Sequence, residues 1–234
     1  MRRHARRELM FQAVRCRSAE NLTWRPRLPG ISTMKYTHGL NVPLTLEELC
    51  DPQSMALLVY DMQVGIRSQL EGGDQIVERA GRALAAARKA GMRVVFTRHM
   101  SMPKSWMGVT QYRTAMAWQH TDDPKAVTPW FLRDAPSAAI VPELAPTPDE
   151  AVFDKLAMSA FEGTPLSYAL RDCGIISVVI VGIALEIGIE PSARHATDCG
   201  IIPVILADAC GAGNQEAAKR SLESLRFIGE TVIS

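Results

Sequence analysis

From about residue 55 onward, runs of continuous apolar residues alternate with segments of helical period. MALLVYD (55–61) is unbroken apolar sequence closing on an acid, the pattern of a strand buried on both faces of a parallel sheet. DQIVERAGRALAAARKAG (74–91) repeats its apolar residues at helical spacing and closes on Gly91, a residue suited to the left-handed C-terminal position. MRVVFTRH (92–99), EAVFDK (150–155), ISVVIVG (176–182) and IIPVILADA (201–209) read as further strands. TPLSYALRDCG (164–174), EPSARHATDCG (190–200) and NQEAAKRSLESLRFIG (214–229) read as helices, and ETVIS is a candidate final strand. Residues 100–138 follow neither period and carry four prolines and three tryptophans, so they are expected to be irregular. An irregular stretch of that length in a compact domain usually serves function.

Strands alternating with helices predict an α/β fold, a doubly wound and mostly parallel sheet with helices on both faces. Such sheets place ligands outside the carboxyl ends of the strands. That rule selects Asp61, the pair Arg98 and His99, Lys155, the 183–188 turn and Asp208 before any motif is considered. An acid and a lysine at the ends of separate buried strands are costly unless paired or used.

Composition narrows the classes. The 234 residues carry a formal net charge of +1, so no broad field favours nucleic acid or a membrane surface. The apolar runs near 177–185 and 201–207 are far shorter than the roughly 20 residues a bilayer requires. Five widely spaced cysteines without a CxxC pair suggest a reducing compartment, hence the cytoplasm, and no disulfide framework. GAG at 211–213 lacks the spacing of a phosphate loop.

Residues 1–33 differ from the rest. They hold Arg2, Arg3, Arg6, Arg7, Arg15, Arg17, Arg25 and Arg27 against only Glu8 and Glu20. Such a leader is either a transit peptide or an over-long start with Met34 as the true initiator. In both cases residues 1–33 are expected outside a packed domain covering 34–234.

Four stretches, in this order and spacing, carry a family resemblance: LLVYDMQ (57–63), FDKLAMSAFEGTPL (153–166), VVIVGIALEIGIEPSARHATDCG (178–200) and ILADACGAG (205–213). Together they resemble the isochorismatase-like, or cysteine hydrolase, family. The resemblance implies a doubly wound fold, a homo-oligomer, a small-molecule substrate and no cofactor. Its amidase members use an Asp, a Lys and a Cys, which match Asp61, Lys155 and the position of Gly188. With glycine there, no thioester can form. True isochorismatases similarly carry glycine and hydrolyse a vinyl ether, with the Asp as proton donor. The expected activity is therefore hydrolysis by an Asp61/Lys155 pair without a cysteine nucleophile. The substrate is isochorismate or, alternatively, another small amide or carbonyl compound attacked by water; a non-catalytic binding or assembly subunit is the third reading.

The resemblance also implies substrate contacts from Gln63, Arg98, His99, Phe161, Ala184, Leu185 and Glu186, and a turn at 183–185 that often contains a cis peptide. Glu186 either meets substrate or serves the start of its own helix. Arg98, Lys104 and Arg113 are candidates to hold a substrate carboxylate, and Trp106 and Trp118 to close over the pocket. Nicotinamidase relatives carry an Asp-x-His pattern after the second strand. FTRHMSM lacks it, so His99 stands alone and no metal site is expected. The cysteines read as structural thiols.

A chain beginning at Met34 is expected to melt with the full chain. A drop of more than a few degrees in thermal unfolding would show that residues 1–33 pack on the domain, since about 1 kcal/mol shifts a domain of this size by roughly 2–4 °C.

Overall fold

A computed structural model of the protein describes residues 35–233; the 1–33 extension lies outside the described residues. Six strands form one parallel sheet: β3 (Met55–Tyr60), β4 (Arg93–His99), β5 (Ala151–Lys155), β6 (Ser177–Ile183), β7 (Ile202–Gly211) and β8 (Thr231–Ile233). Their order across the sheet is β5-β4-β3-β6-β7-β8, and every neighbouring pair is parallel. A hairpin of β1 (Lys35–Thr37) and β2 (Leu40–Val42) precedes it. The short helix α1 (Leu46–Leu49) follows, fixed by a capping box between Thr45 and Glu48.

The helices cover both faces. β3 is buried along its whole length and sends alternate side chains to opposite sides. Leu57 and Val59 join Val77, Ala80, Leu84 and Ala87 of α3 (Gly73–Ala90) in one core cluster. Ala56, Leu58 and Tyr60 join Leu166 and Leu170 of α5 (Leu166–Asp172), Ala193 and Ala196 of α6 (Glu190–Asp198), and Ala218 and Leu225 of α7 (Gln215–Phe227) in the other. α3 closes on Gly91 at a φ of 70°, the left-handed end its sequence predicts.

The strand order locates the crevice. The chain runs from β3 outward through β4 to β5, then returns to the far side of β3 with β6. The order reverses between β3 and β6, so their carboxyl ends part there. Asp61 follows one of these strands and the 184–189 turn follows the other. Gly182 allows the close approach of the two, because at φ 132° an added Cβ would lie 2.8 Å from the Tyr60 carbonyl carbon.

The expectation for 100–138 needs correction. It contains a helix, α4 (Val109–Trp118), and two short 3-10 turns. α4 buries none of its residues, so no core-facing stripe marks it in the sequence, and Gly108 offers no side-chain cap. The β1–β2 hairpin is likewise invisible to pattern, because nearly all of its positions are exposed.

Candidate active site

A cavity of about 300 Å³ opens at the switch point. Tyr60 and Asp61 from the end of β3, His99 from β4, Met158 beyond β5, and Ile183, Ala184 and Ile187 from the end of β6 and its following turn all line it. α2 (Val64–Arg67) and the segment after it contribute Ile66, Gln69 and Leu70, while Ala117, Trp118, His120, Trp130 and Phe131 come from the long β4–β5 connection. A second cavity of about 190 Å³ shares His99, Trp118, Trp130, Phe131 and Met158 with it.

Asp61 and Lys155 form a buried ion pair. Lys155 Nζ donates to Asp61 Oδ2 at 2.7 Å, and both residues are 3% exposed. Lys155 also donates to the Tyr60 hydroxyl at 2.9 Å and to the Ala157 carbonyl at 3.1 Å, so each of its three N–H groups has an acceptor. Thr97 Oγ1 donates to Asp61 Oδ1 at 2.7 Å. Asp61 reaches this position by breaking strand alternation. Tyr60 and Phe153 belong to the cluster on one face of the sheet, and alternation along β5 puts Lys155 on that same face. Asp61 would fall on the opposite face, but its φ of 47° turns the backbone and brings the carboxylate across.

Gln63 is fully buried and both ends of its amide are used. Its Oε1 accepts from the His99 N–H at 2.6 Å, and its Nε2 donates to the carbonyls of His99 and Ala138, each at 3.0 Å. It therefore ties β4 to the β4–β5 connection, with no polar atom left for substrate. His99 lines both cavities and meets Trp118 and Phe131 edge to face, at centroid distances of 6.4 and 5.9 Å. Burial holds its pKa below the usual 6.5; Asp61 opposes the shift and Lys155 reinforces it.

Gly188 is buried in the π-type turn Leu185–Ile189. A side chain there has no room: an added Cβ would overlap the Tyr60 hydroxyl and stand 2.6 Å from ring atom Cε1. The Ile183–Ala184 peptide is cis. The amides of Gly188 and Ile189 both donate to the Ala184 carbonyl, at 3.0 and 3.1 Å, so neither is aimed at the cavity.

Of the other residues singled out from the sequence, Ala184 lines the cavity, whereas Arg98, Phe161, Leu185 and Glu186 do not. Arg98 is bound to Asp154 at 2.7 Å, and Asp154 also holds Arg133. Phe161 lies 5.7 Å from the His195 ring in the core that packs α5, α6 and α7, and Leu185 belongs to the same cluster. Glu186 Oε1 accepts from the Asn214 N–H at 2.7 Å, at the cap of α7 rather than of its own helix. Lys104 and Arg113 line neither cavity, and Trp106 is 75% exposed and also outside them. Asp208 is half-buried in β7, where the chain bulges between the Ile180–Ile205 and Gly182–Cys210 pairings. Among the described residues, no group of three or more His, Cys, Asp or Glu side chains is placed to hold a metal.

Sequence reasoning missed Tyr60 and Thr97. Both stood inside apolar strand runs, and the available signal was a polar-tipped side chain at the carboxyl end of a buried strand.

The fold and the cleft thus define an α/β enzyme with a buried acid–lysine pair at its topological switch point. The isochorismatase domain matches residues 55–234, and the chain belongs to the isochorismatase family, a family of hydrolases. It is 33% identical over 178 residues to the isochorismatase family protein YecD of Escherichia coli, covering 74% of this chain and 88% of that one. Against the ureidoacrylate amidohydrolase RutB of Methylobacterium radiotolerans it is 26% identical over 204 residues, covering 78% and 77%. The structure of an isochorismatase family protein from Desulfovibrio vulgaris superposes with a TM-score of 0.67 at 23% identity, covering 77% of this chain and 94% of that one. That likeness concerns the fold.

The low pKa of His99 has a consequence for stability. Above pH 6.5 the group is neutral in the folded and unfolded chain alike, so it costs nothing. As pH falls below 6.5 the unfolded chain binds the proton first, and stability is lost until the folded value is reached. The melting temperature should therefore fall as pH drops through and below about 6.5, and fall less in His99→Gln. Equal losses in the two proteins would contradict the assignment.

Proposed function

We propose that this chain hydrolyses a small, uncharged carbonyl compound, an amide or ureido compound, by direct attack of water activated by Asp61. The observation that carries this reading is the hydrogen bonding of the Asp61 carboxylate. Its two oxygens accept from Lys155 and Thr97 at the wall of the cavity. A carboxyl group that only accepts is set to take a proton rather than give one. Water bound there adds to the substrate carbonyl carbon and passes a proton to Asp61. That proton then goes to the leaving nitrogen, and an acid and an amine are released. Lys155 balances the charge on Asp61 in the resting site.

Hydrolysis of isochorismate fits less well. It begins with proton delivery to carbon, and its substrate is a dicarboxylate. Among the described residues, none lining the larger cavity is Arg or Lys, and most of the wall is apolar. The ureidoacrylate amidohydrolase RutB among the relatives also favours an amide or ureido bond as the point of attack, though its own substrate is a monocarboxylate. No described cysteine lines either cavity, and burial pushes the Cys210 thiol up to about 12, where it is inert. The cytoplasmic setting suggested by the cysteine pattern and the homo-oligomeric assembly implied by the family resemblance belong to the same reading.

Two measurements test it. In a screen of small amides, ureido compounds and isochorismate, turnover is expected with a neutral amide or ureido compound and should survive iodoacetamide. Rapid inactivation, blocked by substrate and mapped to one cysteine, would sink the thiol-independent route. Asp61→Asn should lower turnover by about a hundredfold or more while the fold survives. If the pair is only structural, the variant instead leaves Lys155 buried and uncompensated at a cost of about 3–5 kcal/mol. Near-normal turnover per folded molecule with much-reduced melting would then be seen.

A further inference from the structure

The hydroxyl of Tyr60 sits where any side chain at position 188 would have to go. Its surroundings are polar and specific. The hydroxyl donates to the Met158 carbonyl and accepts from Lys155 Nζ at 2.9 Å. The Lys155 ammonium also lies 4.4 Å from the centroid of the Tyr60 ring. Tyr60 lines the larger cavity next to Asp61, although the residue as a whole is 2% exposed. A tyrosine that only filled the core would have no use for these two hydrogen bonds, since phenylalanine has the same ring.

We propose that Tyr60 and a side chain at position 188 compete for one seat on the cavity floor, and that the Tyr60 hydroxyl is a positioning residue which holds the Lys155 ammonium against Asp61. The second half rests on the hydrolysis proposed above; the first half does not. A lysine ammonium has three N–H groups, and here Asp61, Tyr60 and Ala157 take one each. With its side chain fully buried, Lys155 cannot turn to bulk water if one acceptor is lost. Losing the hydroxyl frees the ammonium to swing on its four-carbon stem, and the carboxylate it fixes moves with it. Burial, followed by the negative charge of Asp61 and hydrogen bonding with its carboxylate, pushes the Tyr60 pKa well above its usual 10, so the phenol stays neutral. The pairing also accounts for the glycine at position 188 in physical terms. A thiol there and the phenol here exclude each other.

Two variant sets test the halves separately. Tyr60→Phe keeps the ring in its seat and removes only the hydroxyl. Its kcat should fall about tenfold or more, with KM within about threefold of the parent. Unchanged kcat with a lower melting temperature would make the hydroxyl merely structural and overturn the positioning role. The seat itself is tested without substrate by introducing G188C into the parent and into Tyr60→Val. Competition predicts that G188C lowers melting far more in the parent than in Tyr60→Val, by a margin of at least about 5 °C. It also predicts that only in Y60V/G188C is the new thiol alkylated by iodoacetamide. Equal losses in the two backgrounds, failure of both to fold, or a reactive new thiol beside an intact Tyr60 would overturn the shared seat. If the parent turns over none of the screened compounds, the hydrolysis reading and the positioning role fall, while the melting comparison still judges the seat.

Discussion

Everything at the cleft depends on keeping one ammonium and one carboxylate out of water. Burying a lysine and an aspartate removes hydration worth several kcal/mol per ion, and mutual attraction offsets it only when the remaining hydrogen-bonding capacity is also met. Here it is met group by group. Lys155 has three acceptors, and Asp61 accepts from both Lys155 and Thr97. Those partners come from β3, β4, β5 and the segment just beyond β5. The pair therefore fixes the relative positions of three adjacent strand ends, and the strand ends in turn fix the pair. Asp61 joins the network only through a backbone turn at positive φ, a conformation that non-glycine residues adopt at a cost and that cooperative surroundings must sustain.

The wall of the site has a different origin from its floor. The floor is made by the ends of the sheet at the point where strand order reverses, a location set by topology. Much of the wall comes from the connection between β4 and β5, which supplies Trp118, His120, Trp130 and Phe131. Gln63 joins the two parts, since it bonds to the backbone of His99 on one side and Ala138 on the other. The floor is thus held by hydrogen bonds between buried strand ends, and the wall by aromatic side chains on a connection that is anchored by Phe131, Ala138, Val141 and Leu144.

The sheet was legible because its strands are buried on both faces and read as continuous apolar runs, and because α3, α6 and α7 each bury one face. Asp61 and Lys155 were legible as charges stranded at the ends of such runs. What could not be read has a common physical cause. α4 and the β1–β2 hairpin bury almost nothing, so no periodic pattern was imposed on them. Arg98 and Glu186 looked like site residues because they lie beside the crevice in sequence. The structure pairs Arg98 with Asp154, whereas Glu186 gives one oxygen to the backbone of Asn214 and keeps the other buried without a hydrogen-bond partner among the described residues. The relation of Tyr60 to Gly188 spans more than a hundred residues and is visible only in three dimensions.

The central claim is that the first bond to the substrate is made by water and not by the protein. A single turnover in ¹⁸O-labelled water, with enzyme in excess over a substrate that it cleaves, tests this directly. If water attacks, the label appears in the released acid in the first turnover, and the mass of the peptide containing Asp61 is unchanged. If Asp61 attacks and its anhydride is opened at the Asp61 carbonyl, the first-turnover product carries an unlabelled oxygen from Asp61 and the label enters that carboxylate. An acyl intermediate on any other side chain, which would also give labelled acid, shows instead as an added acyl mass on the chain in acid-quenched samples. Label in the Asp61 carboxylate would contradict the account.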